Sequence, residues 1–453
     1  MQPLKISISG IRGIAGSSFT NTVALEFGQA FGTFVNCGKV AVARDTRTSG
    51  DMLKSAVMAG LLSCGCKVID LGIIPTPTAL FYVRHHKVDG GIIVTASHNS
   101  AEWNGLKFID SDGTFLSESR LERLFDIYYK KEFRSVSWDI FKDISVDSSA
   151  VDAHINEILK NLDVKAIIRK HFKVGVDYIN GTGCVITPKF LSALGCRVFS
   201  LNDKPNGVFN HEPEPLPKNL KALCRLVKQK RLHIGFAQDP DADRLAVVSE
   251  KGIAIGEELT LGLSVKFILL YRQKGTVVIN LSASRILDYI KDEFGIKLIR
   301  TKVGEANVVY EMKKRNAIIG GEGSGGVIFP KINYGRDSLV AMGLILEYLA
   351  KSDKKISQLV DELPKLEMIK GKFECPFSKI SDVLDALRGM YKDEDINVID
   401  GLKVIWLNKW VHIRPSNTEP IIRIIVEAET KKEAHKLYLE VSEKIKETIE
   451  GGR

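Results

Sequence analysis

The chain has 453 residues, of which 44% are hydrophobic and 26% charged, with 38 Gly and 14 Pro. At about 150 residues per domain, this composition indicates a folded protein of several domains and excludes a disordered or collagen-like chain. Lysine and arginine number 64 against 55 aspartates and glutamates, a net charge of +9, but the two signs are mixed along the chain. Without a concentrated basic patch, we expect the partner to be an anionic small molecule and not nucleic acid.

Cysteine usage and hydropathy bear on the compartment in which the protein acts. The seven cysteines are scattered and contain no C-x-x-C pair, which favours reduced thiols. The first residues lack a basic region followed by an apolar run, and no stretch approaches 18 uncharged apolar residues. We therefore expect neither a secretory signal nor a membrane span, and a cytoplasmic location.

Strand and helix patterns alternate in the first 110 residues. The pattern predicts strands at 39–44, 67–71 and 90–95, and helices at 52–62 and 78–85. Such alternation is typical of an α/β domain with a buried, partly parallel sheet. The polar segment 139–149 is predicted to be an irregular linker.

The same alternation of strand and helix patterns begins again twice along the chain, and the pattern changes near residue 370. Further strands are predicted at 173–178, 197–201, 233–237, 245–249, 276–280, 297–301, 317–320, 402–407, 411–414 and 421–427. One helix is predicted with Pro188 near its start, a second is predicted to extend through residue 270, and a third is predicted over 431–449. The fold class is thus α/β, with three similar α/β domains and a smaller α+β C-terminal domain. The predicted domains are 1–150, 151–251, 252–367 and 368–453.

The first loop that carries reactive side chains follows the strand at 90–95. Ser97 lies just past the C-terminal end of this strand, where α/β proteins bind ligands. Its small neighbours predict a hydroxyl exposed enough to act as a nucleophile. His98 and Asn99 add hydrogen-bonding groups, and Lys107 adds a cation to the same loop. Taken alone, a Ser-His pair of this kind is more often an ordinary turn.

The second loop carries three alternating carboxylates, Asp239, Asp241 and Asp243, directly after a strand. Two like charges about 4 Å apart repel by about 4 kcal/mol at an effective dielectric of 20, so three converging carboxylates favour a bound cation. Oxygen ligands favour Mg²⁺, Ca²⁺ or Mn²⁺ over Zn²⁺, and the spacing is not that of an EF-hand. The alternative is an acidic surface turn.

The third loop is rich in glycine and presents Glu322 and Ser324. It formally matches G-x-G-x-x-G, but the residues after it resemble a strand and no helix begins there, which argues against dinucleotide binding. Carboxylate and hydroxyl groups in such a turn suit the hydroxyls of a sugar. The alternative is a plain hairpin turn.

The fourth loop gathers phosphate-binding groups in a short segment. It contains Arg414, Ser416, Asn417 and Thr418, and Arg423 follows soon after. A guanidinium, two hydroxyls, an amide and turn N–H groups together are typical of a phosphate cradle. The alternative is a polar turn in a small domain.

A serine nucleophile, a magnesium-type loop, a sugar turn and a phosphate cradle together indicate phosphoryl transfer on a phosphosugar. In order and spacing, the four loops resemble the α-D-phosphohexomutase superfamily, which includes phosphoglucomutase, phosphomannomutase and phosphoglucosamine mutase. The resemblance extends to segments 9–13, 43–49 and 301–304. Segments 212–219 and 335–337 are most similar to the archaeal-type phosphoglucosamine mutase branch.

The resemblance implies that the four domains surround a central cleft and that Ser97 is carried as phosphoserine. It implies one Mg²⁺ per chain, bound by Asp239, Asp241, Asp243 and a phosphate oxygen on Ser97. The reaction moves a phosphoryl group between the 1- and 6-positions of a hexose phosphate through a 1,6-bisphosphate, which also serves as activator. Glucosamine phosphate is the favoured substrate, with glucose and mannose phosphates as the alternative.

Roles for the remaining residues follow from the same resemblance. Arg12, Lys107 and Arg244 supply charge, while His98, Lys107 and Lys302 are candidates for proton transfer. The expected substrate-binding residues are Arg244, Lys302, Glu322, Ser324, Arg414, Ser416, Asn417, Thr418 and Arg423. Ser100, Asn417 and Gly326 depart from the family pattern, since proline, glycine and, in many relatives, histidine stand at these positions.

Two other functions compete with the mutase. A metal-dependent sugar phosphatase could use the same serine and aspartates, but it has no need of the fourth loop. A catalytically dead binding paralogue would show loss of Ser97 or of an aspartate, and all four are present. The sequence leaves open whether the protein is a monomer or a homodimer.

Overall fold

A computed structural model describes residues 4–7, 10–416 and 420–451. Its strands form four separate sheets of seven, four, four and five strands, which follow one another along the chain. Helices pack on the first three sheets, and each sheet contributes at least one loop to a shared cleft.

The first sheet is mixed and has the strand order β1-β2-β6-β5-β3-β4-β7. Strands β5, β3, β4 and β7 are parallel, and β1, β2 and β6 add antiparallel pairs at the other edge. The elements of this part of the chain are β1 (Lys5–Ser7), β2 (Gly10–Ile14), α1 (Asn21–Phe34), β3 (Lys39–Arg44), α2 (Gly50–Ser63), β4 (Lys67–Ile73), α3 (Thr76–His85), β5 (Gly90–Val94), β6 (Trp103–Asp110), α4 (Glu118–Lys130) and β7 (Ile144–Val146).

The second sheet has the order β11-β10-β8-β9, with β10, β8 and β9 parallel and β11 antiparallel. Its elements are α5 (Ala150–Lys160), α6 (Val164–Ile168), β8 (Lys173–Asp177), α7 (Gly183–Ala193), β9 (Arg197–Leu201), a 3₁₀ turn (Pro217–Asn219), α8 (Lys221–Lys230), β10 (Ile234–Gln238) and β11 (Leu245–Ser249).

The third sheet repeats this plan, with β13, β12 and β14 parallel and β15 antiparallel at the edge. Its elements are α9 (Glu257–Tyr271), β12 (Val277–Asn280), α10 (Ile286–Phe294), β13 (Leu298–Thr301), α11 (Glu305–Arg315), β14 (Ile319–Glu322), β15 (Gly326–Ile328), α12 (Ser338–Ser352) and α13 (Ile356–Asp361). Helix α12 begins where the Asp337 carboxylate caps the backbone N–H groups of Leu339 and Val340.

The fourth sheet is entirely antiparallel, in the order β16-β20-β19-β18-β17. Its elements are β16 (Glu367–Glu374), a 3₁₀ turn (Phe377–Lys379), α14 (Ile380–Met390), β17 (Asp395–Asn397), β18 (Leu402–Ile405), β19 (Lys409–Pro415), β20 (Ile421–Ala428) and α15 (Lys431–Glu450). Helix α15 is amphipathic, and the buried face that carries Leu437, Val441 and Ile445 packs on this sheet.

The buried apolar residues form separate clusters that differ in extent. One continuous cluster runs from Ala41 to Leu363 and joins the first three sheets, whereas the cluster of the C-terminal part runs only from Cys375 to Ile445. The C-terminal part meets the third sheet through polar contacts instead, among them the Lys370 ion pairs with Glu257 and Glu258. A separate core and a polar contact surface make this part a distinct unit on one side of the cleft.

Three local predictions from the sequence were wrong. The segment 139–149 is not merely a linker, because it contains strand β7, which pairs with β4 at the sheet edge. Pro188 does not lie near a helix start but in the sixth position of α7, since the helix begins directly after the turn at 180–183. Lys107 does not belong to the serine loop, because β6 begins at Trp103 and places Lys107 on a strand.

All seven cysteines are free thiols. Within the part of the chain that the structure describes, no helix is both long and apolar enough to cross a membrane.

Candidate active site

The serine loop is formed where two parallel strands end side by side. Strands β3 and β5 are neighbours, and their last residues, Arg44 and Val94, are paired in register. The residues that follow each strand therefore lie against one another, at the sheet edge where α/β folds bind ligands. This topology brings Asp45 and Arg47 next to Thr95 and Ser97.

Arg47 holds the serine loop through four backbone carbonyls. Its guanidinium donates hydrogen bonds to the carbonyl oxygens of Ser97 at 2.7 Å, Asn99 at 2.6 Å, Ser100 at 2.5 Å and Trp103 at 2.9 Å. The Arg47 side chain is fully buried, and its Nε also donates to the Asp45 carboxylate at 3.0 Å. A planar group with five donors is suited to clamping several acceptors in a fixed geometry.

The backbone N–H of Ser97 is also held, through Thr95, by the carboxylate of Asp45. The Asp45 Oδ2 atom accepts the Thr95 hydroxyl at 2.6 Å, and the Thr95 Oγ1 atom accepts the Ser97 backbone N–H at 3.0 Å. Ser97 has a φ of 51°, in the left-handed region that costs a non-glycine residue about 1–2 kcal/mol. The hydrogen bonds around Ser97 offset this strain and aim its side chain.

Ser97 lies next to His98, which lines the cleft. Its Oγ atom is 3.3 Å from Asp239 Oδ2 and 3.3 Å from His98 Nδ1. The sequence predicts a hydroxyl exposed enough to act as a nucleophile, whereas Ser97 is only 1% exposed in the structure. Ser97 is thus buried between the loop that Arg47 holds and the aspartate loop.

The three aspartates converge as predicted, in the tight loop between β10 and β11. Asp239, Asp241 and Asp243 are completely buried, and each offers a carboxylate oxygen within 4.8 Å of the others. Asp239 Oδ1 accepts the backbone N–H groups of Asp243 and Arg244, both at 3.1 Å, and Thr76 donates its hydroxyl to Asp241 at 2.6 Å. These contacts fix the loop from both sides.

The aspartate cluster fits a hard divalent cation. Among the described residues, Asp241 Oδ1 and Asp243 Oδ1 are buried oxygens without a hydrogen-bond partner. Burial, and then the charges of Asp243 and Asp241, raise the pKa of Asp239 well above its ordinary value. A cation among the three carboxylates would offset this repulsion, and an all-oxygen donor set suits Mg²⁺.

Four cations lie around the carboxylates: Lys107, Arg12, Arg244 and Arg336, whose guanidinium contacts Asp243 at 2.7 Å. Lys107 Nζ donates to Asp241 at 2.7 Å and to Asp243 at 3.2 Å. Burial alone would lower the pKa of Lys107, but the two aspartates raise it above its ordinary value, so the ammonium keeps its charge. Arg12 donates to the Asn99 side chain at 2.7 Å, and burial lowers its pKa to about 10. Arg244 donates to Glu214 at 3.1 Å, a partner that the sequence did not single out.

The candidates for proton transfer separate in the structure. Burial, together with the charges of Arg244 and Arg12, lowers the pKa of His98 well below its ordinary value, so its ring is neutral near pH 7. Lys302 is exposed, and the described residues that line the cleft do not include it. The structure thus places His98 beside Ser97 and Lys107 against the aspartate loop, and it places Lys302 outside the described cleft lining.

The glycine-rich segment is a hairpin turn between β14 and β15 that presents Glu322 and Ser324 to the cleft. Glu322 Oε1 accepts hydrogen bonds from the Asn280 side chain at 3.1 Å and from the Gly304 backbone at 3.0 Å. Its other oxygen accepts from Arg336 at 2.8 Å. Glu322 is thereby held in one orientation while Ser324 stays partly exposed.

The C-terminal unit supplies part of the cleft lining. Arg414 on β19 and Arg423 on β20 are paired in register, and both line the cleft together with Ser416. Arg414 Nε donates to Asp400 at 3.1 Å. Asn417 and Thr418, also expected in the phosphate cradle, lie outside the described residues.

Residues from all four sheets or their loops surround one cavity of about 440 Å³. Its described lining contains eight lysines and arginines and four glutamates, an excess of positive charge that suits a doubly phosphorylated ligand. The basic lining residues are Lys5, Arg12, Lys107, Arg244, Arg336, Lys370, Arg414 and Arg423.

Sequence reasoning assigned no role to two residues of the site, Arg47 and Arg336. They lie in the segments 43–49 and 335–337, which carry part of the family resemblance. The signal for Arg47 was available, because an Asp-x-Arg sequence follows a buried strand that runs parallel to the strand before Ser97. Nothing in the local sequence indicates which carboxylates Arg336 contacts, since they lie in three different segments.

Comparison with known proteins identifies the family. Models of the phosphoglucomutase/phosphomannomutase family match the chain in four consecutive parts. The matches are alpha/beta/alpha domain I over residues 4–135, alpha/beta/alpha domain II over 152–252, alpha/beta/alpha domain III over 259–366, and the C-terminal domain over 368–444.

Individual relatives match over the same span. A phosphoglucomutase/phosphomannomutase of Thermococcus kodakarensis is 38% identical, with 97% of each chain covered. A probable phosphoglucosamine mutase of Methanopyrus kandleri is 36% identical, with 98% of each covered. The structure of a phosphoglucomutase/phosphomannomutase family protein from Burkholderia thailandensis matches with a TM-score of 0.85 at 27% identity, covering 98% of this chain and 99% of that one.

The chain belongs to the phosphoglucomutase/phosphomannomutase family, within the phosphohexomutase superfamily. It is a phosphohexomutase, an isomerase that acts as an intramolecular phosphotransferase. The family and the fold class expected from the sequence are both confirmed.

Proposed function

We propose that the protein interconverts the 1- and 6-phosphates of glucosamine through a phosphoserine at Ser97 and a hexosamine 1,6-bisphosphate. The observation that carries this proposal is the position of the Ser97 Oγ atom, 3.3 Å from Asp239 and 3.3 Å from His98, which lines the cleft. The lining of the same cleft includes Arg414 and Arg423. One part of the cleft is thus suited to transfer a phosphoryl group and another to hold a second phosphate.

The first half of the reaction transfers the phosphoryl group from Ser97 to the free hydroxyl of the hexose phosphate. The bond between Ser97 Oγ and phosphorus breaks, a bond from the sugar oxygen to phosphorus forms, and the proton of the sugar hydroxyl ends on Ser97 Oγ. His98 lies beside Ser97 Oγ, at 3.3 Å, and can carry that proton. Lys107 and Arg12 neutralise the charge of the group in transit, which is the main requirement of phosphoryl transfer.

Asp239, Asp241 and Asp243, with a phosphate oxygen on Ser97, would hold one Mg²⁺. When bound, the ion would neutralise charge on the transferring phosphoryl group. The three carboxylates are already converged and buried, so little rearrangement of the loop is needed to form this site.

The second half of the reaction requires the bisphosphate to turn around within the cleft. The Glu322 carboxylate and the Ser324 hydroxyl bind sugar hydroxyls in either orientation, while Arg414, Ser416, Asn417, Thr418 and Arg423 bind whichever phosphate is not reacting. The C-terminal unit has its own core and polar contacts with its neighbour, which suits it to move aside during the turn and to exclude water afterwards.

The proposed preference for glucosamine phosphate rests on similarity to relatives. The Methanopyrus kandleri protein is named as a probable phosphoglucosamine mutase, whereas the Thermococcus kodakarensis protein is named for glucose and mannose phosphates. Glucose and mannose phosphates are therefore the second candidates. We further propose domain boundaries near residues 150, 251 and 367, and a reducing cytoplasmic setting that suits the seven free thiols.

A ³¹P NMR time course tests the proposal. Purified protein is incubated with Mg²⁺, a trace of sugar bisphosphate and the 1-phosphate of glucosamine, glucose or mannose, with Ser97→Ala as the matched control. We expect conversion to the 6-phosphate, fastest for glucosamine and absent in the control. Release of inorganic phosphate without isomerisation would indicate a phosphatase, and a faster reaction with glucose or mannose would contradict the assigned substrate.

A further inference from the structure

Arg336 joins three segments of the site through one guanidinium. It lies between β15 and α12, and its side chain is 10% exposed. Its Nη2 atom contacts Asp243 of the aspartate loop at 2.7 Å, its Nη1 atom contacts Glu322 at the end of β14 at 2.8 Å, and its Nε atom contacts Glu305 at the start of α11 at 2.9 Å. No other described residue forms salt bridges with both Asp243 and Glu322.

Gly326 leaves the space that the Arg336 side chain occupies. A Cβ atom added at Gly326 would lie 2.2 Å from Arg336 Cδ and 2.8 Å from Arg336 Cγ. The φ of Gly326 is not in the left-handed region, so its backbone does not require glycine. The side chain of Arg336, packed against Gly326, is therefore the steric reason for glycine at this position.

We propose that Arg336 is a positioning residue that sets the sugar-binding carboxylate Glu322 at a fixed distance from the metal-loop carboxylate Asp243. The inference rests on the proposed function and adds to it a link between sugar orientation and the metal loop. A guanidinium is rigid and planar, so it cannot move toward one carboxylate without changing its contact with the other. The distance between Glu322, at the end of a strand of the third sheet, and Asp243, in a loop of the second sheet, is thereby held constant.

The arrangement has an electrostatic consequence that separates positioning from simple structural support. The charge of Arg336 contacts a buried oxygen of Asp243, and it therefore opposes the binding of a cation to the same carboxylate. Removing Arg336 should tighten cation binding to the aspartate loop while it slows turnover. A purely structural role would instead loosen the loop and weaken cation binding.

The test compares Arg336→Met with Gly326→Ala, which keeps the arginine but displaces its side chain. Arg272→Met is the matched control, because Arg272 forms a similar half-buried pair with Glu347 at 2.6 Å and does not line the cleft. The dissociation constant of Mn²⁺ is measured by electron paramagnetic resonance, kcat and KM are measured with the hexose phosphate that the wild type converts fastest, and chemical unfolding checks the fold.

We expect Arg336→Met to bind Mn²⁺ about tenfold more tightly, because a unit charge leaves a buried site. We expect its kcat to fall about 100-fold, the effect of a displacement near 1 Å, with little change in KM. Gly326→Ala should change both quantities in the same directions, and it should add nothing in the Arg336→Met background. The Arg272→Met control should lose stability only.

Weaker or unchanged Mn²⁺ binding in Arg336→Met would overturn the proposal, as would full additivity of the two substitutions. Failure of the proposed function has a different signature, since the wild type would then convert none of the hexose phosphates. In that case Mn²⁺ binding by the same variants still decides whether Arg336 acts on the aspartate loop.

Discussion

Substituting lysine for Arg47 should disable the serine loop without changing any group that contacts the substrate. The Arg47 guanidinium bonds four backbone carbonyls and the Asp45 carboxylate, whereas a lysine ammonium has three donors on a single atom. At least two of the five acceptors therefore lose a charge-assisted hydrogen bond. At about 1.5–3 kcal/mol for each such bond, the free energy of unfolding should fall by about 3–6 kcal/mol.

Activity should fall as well, because the Ser97 carbonyl is one of the acceptors that Arg47 holds. A displacement of the hydroxyl by about 1 Å is expected to reduce kcat by about 100-fold. The assay combines urea unfolding with steady-state kinetics at a temperature where the variant is fully folded. Arg300→Lys is the matched control, since Arg300 donates to the Ala283 carbonyl at 2.7 Å and to Asp288 at 2.7 Å, away from Ser97. Arg47→Lys with wild-type kcat would refute the reasoning.

Three further predictions follow from the site. Asp241→Asn should weaken Mn²⁺ binding at least about tenfold in a titration, and unchanged affinity would exclude Asp241 as a ligand. Arg414→Ala should raise the KM for the hexose phosphate about tenfold or more, because a charge-assisted hydrogen bond contributes about 1.5–3 kcal/mol; an unchanged KM would place the phosphate elsewhere. Burial raises the pKa of Glu258 from 4.5 to about 7. The folded state thus holds this proton more tightly, and the stability that wild type gains over Glu258→Gln should decline as pH rises from about 4.5 to 7, as urea unfolding at several pH values can show.

The sequence predicted the fold class because its signals are local. Buried strands of five or six residues with a run of four small or apolar residues, such as β3 and β10, are bounded by polar turns, and the amphipathic helix α15 shows its period clearly. The short edge strand β7 was missed because its three residues are exposed and carry no burial pattern. Its pairing with β4 is a tertiary contact that no local window contains.

Some features of the candidate site could likewise be predicted from local sequence, whereas others depend on tertiary contacts. Ser97 and the three aspartates could be predicted because each follows a strand directly, and strand ends meet at one edge of a sheet. The burial of Ser97 depends on how the loop that Arg47 holds packs against the aspartate loop, and the strand position of Lys107 depends on the pairing of β6 with β5. The contacts of Arg336 depend on the docking of the second and third sheets, which the sequence does not express as a pattern.

The transfer of a phosphoryl group through Ser97 is the central claim, and rapid-quench mass spectrometry tests it most directly. Protein treated with a phosphatase is mixed with glucosamine 1,6-bisphosphate and Mg²⁺, quenched within the first turnover, and digested. We predict one phosphoryl group on the peptide that carries Ser97, appearing as fast as hexosamine monophosphate forms, and none in Ser97→Ala. Turnover without that phosphopeptide, or the same turnover in Ser97→Ala, would contradict the account.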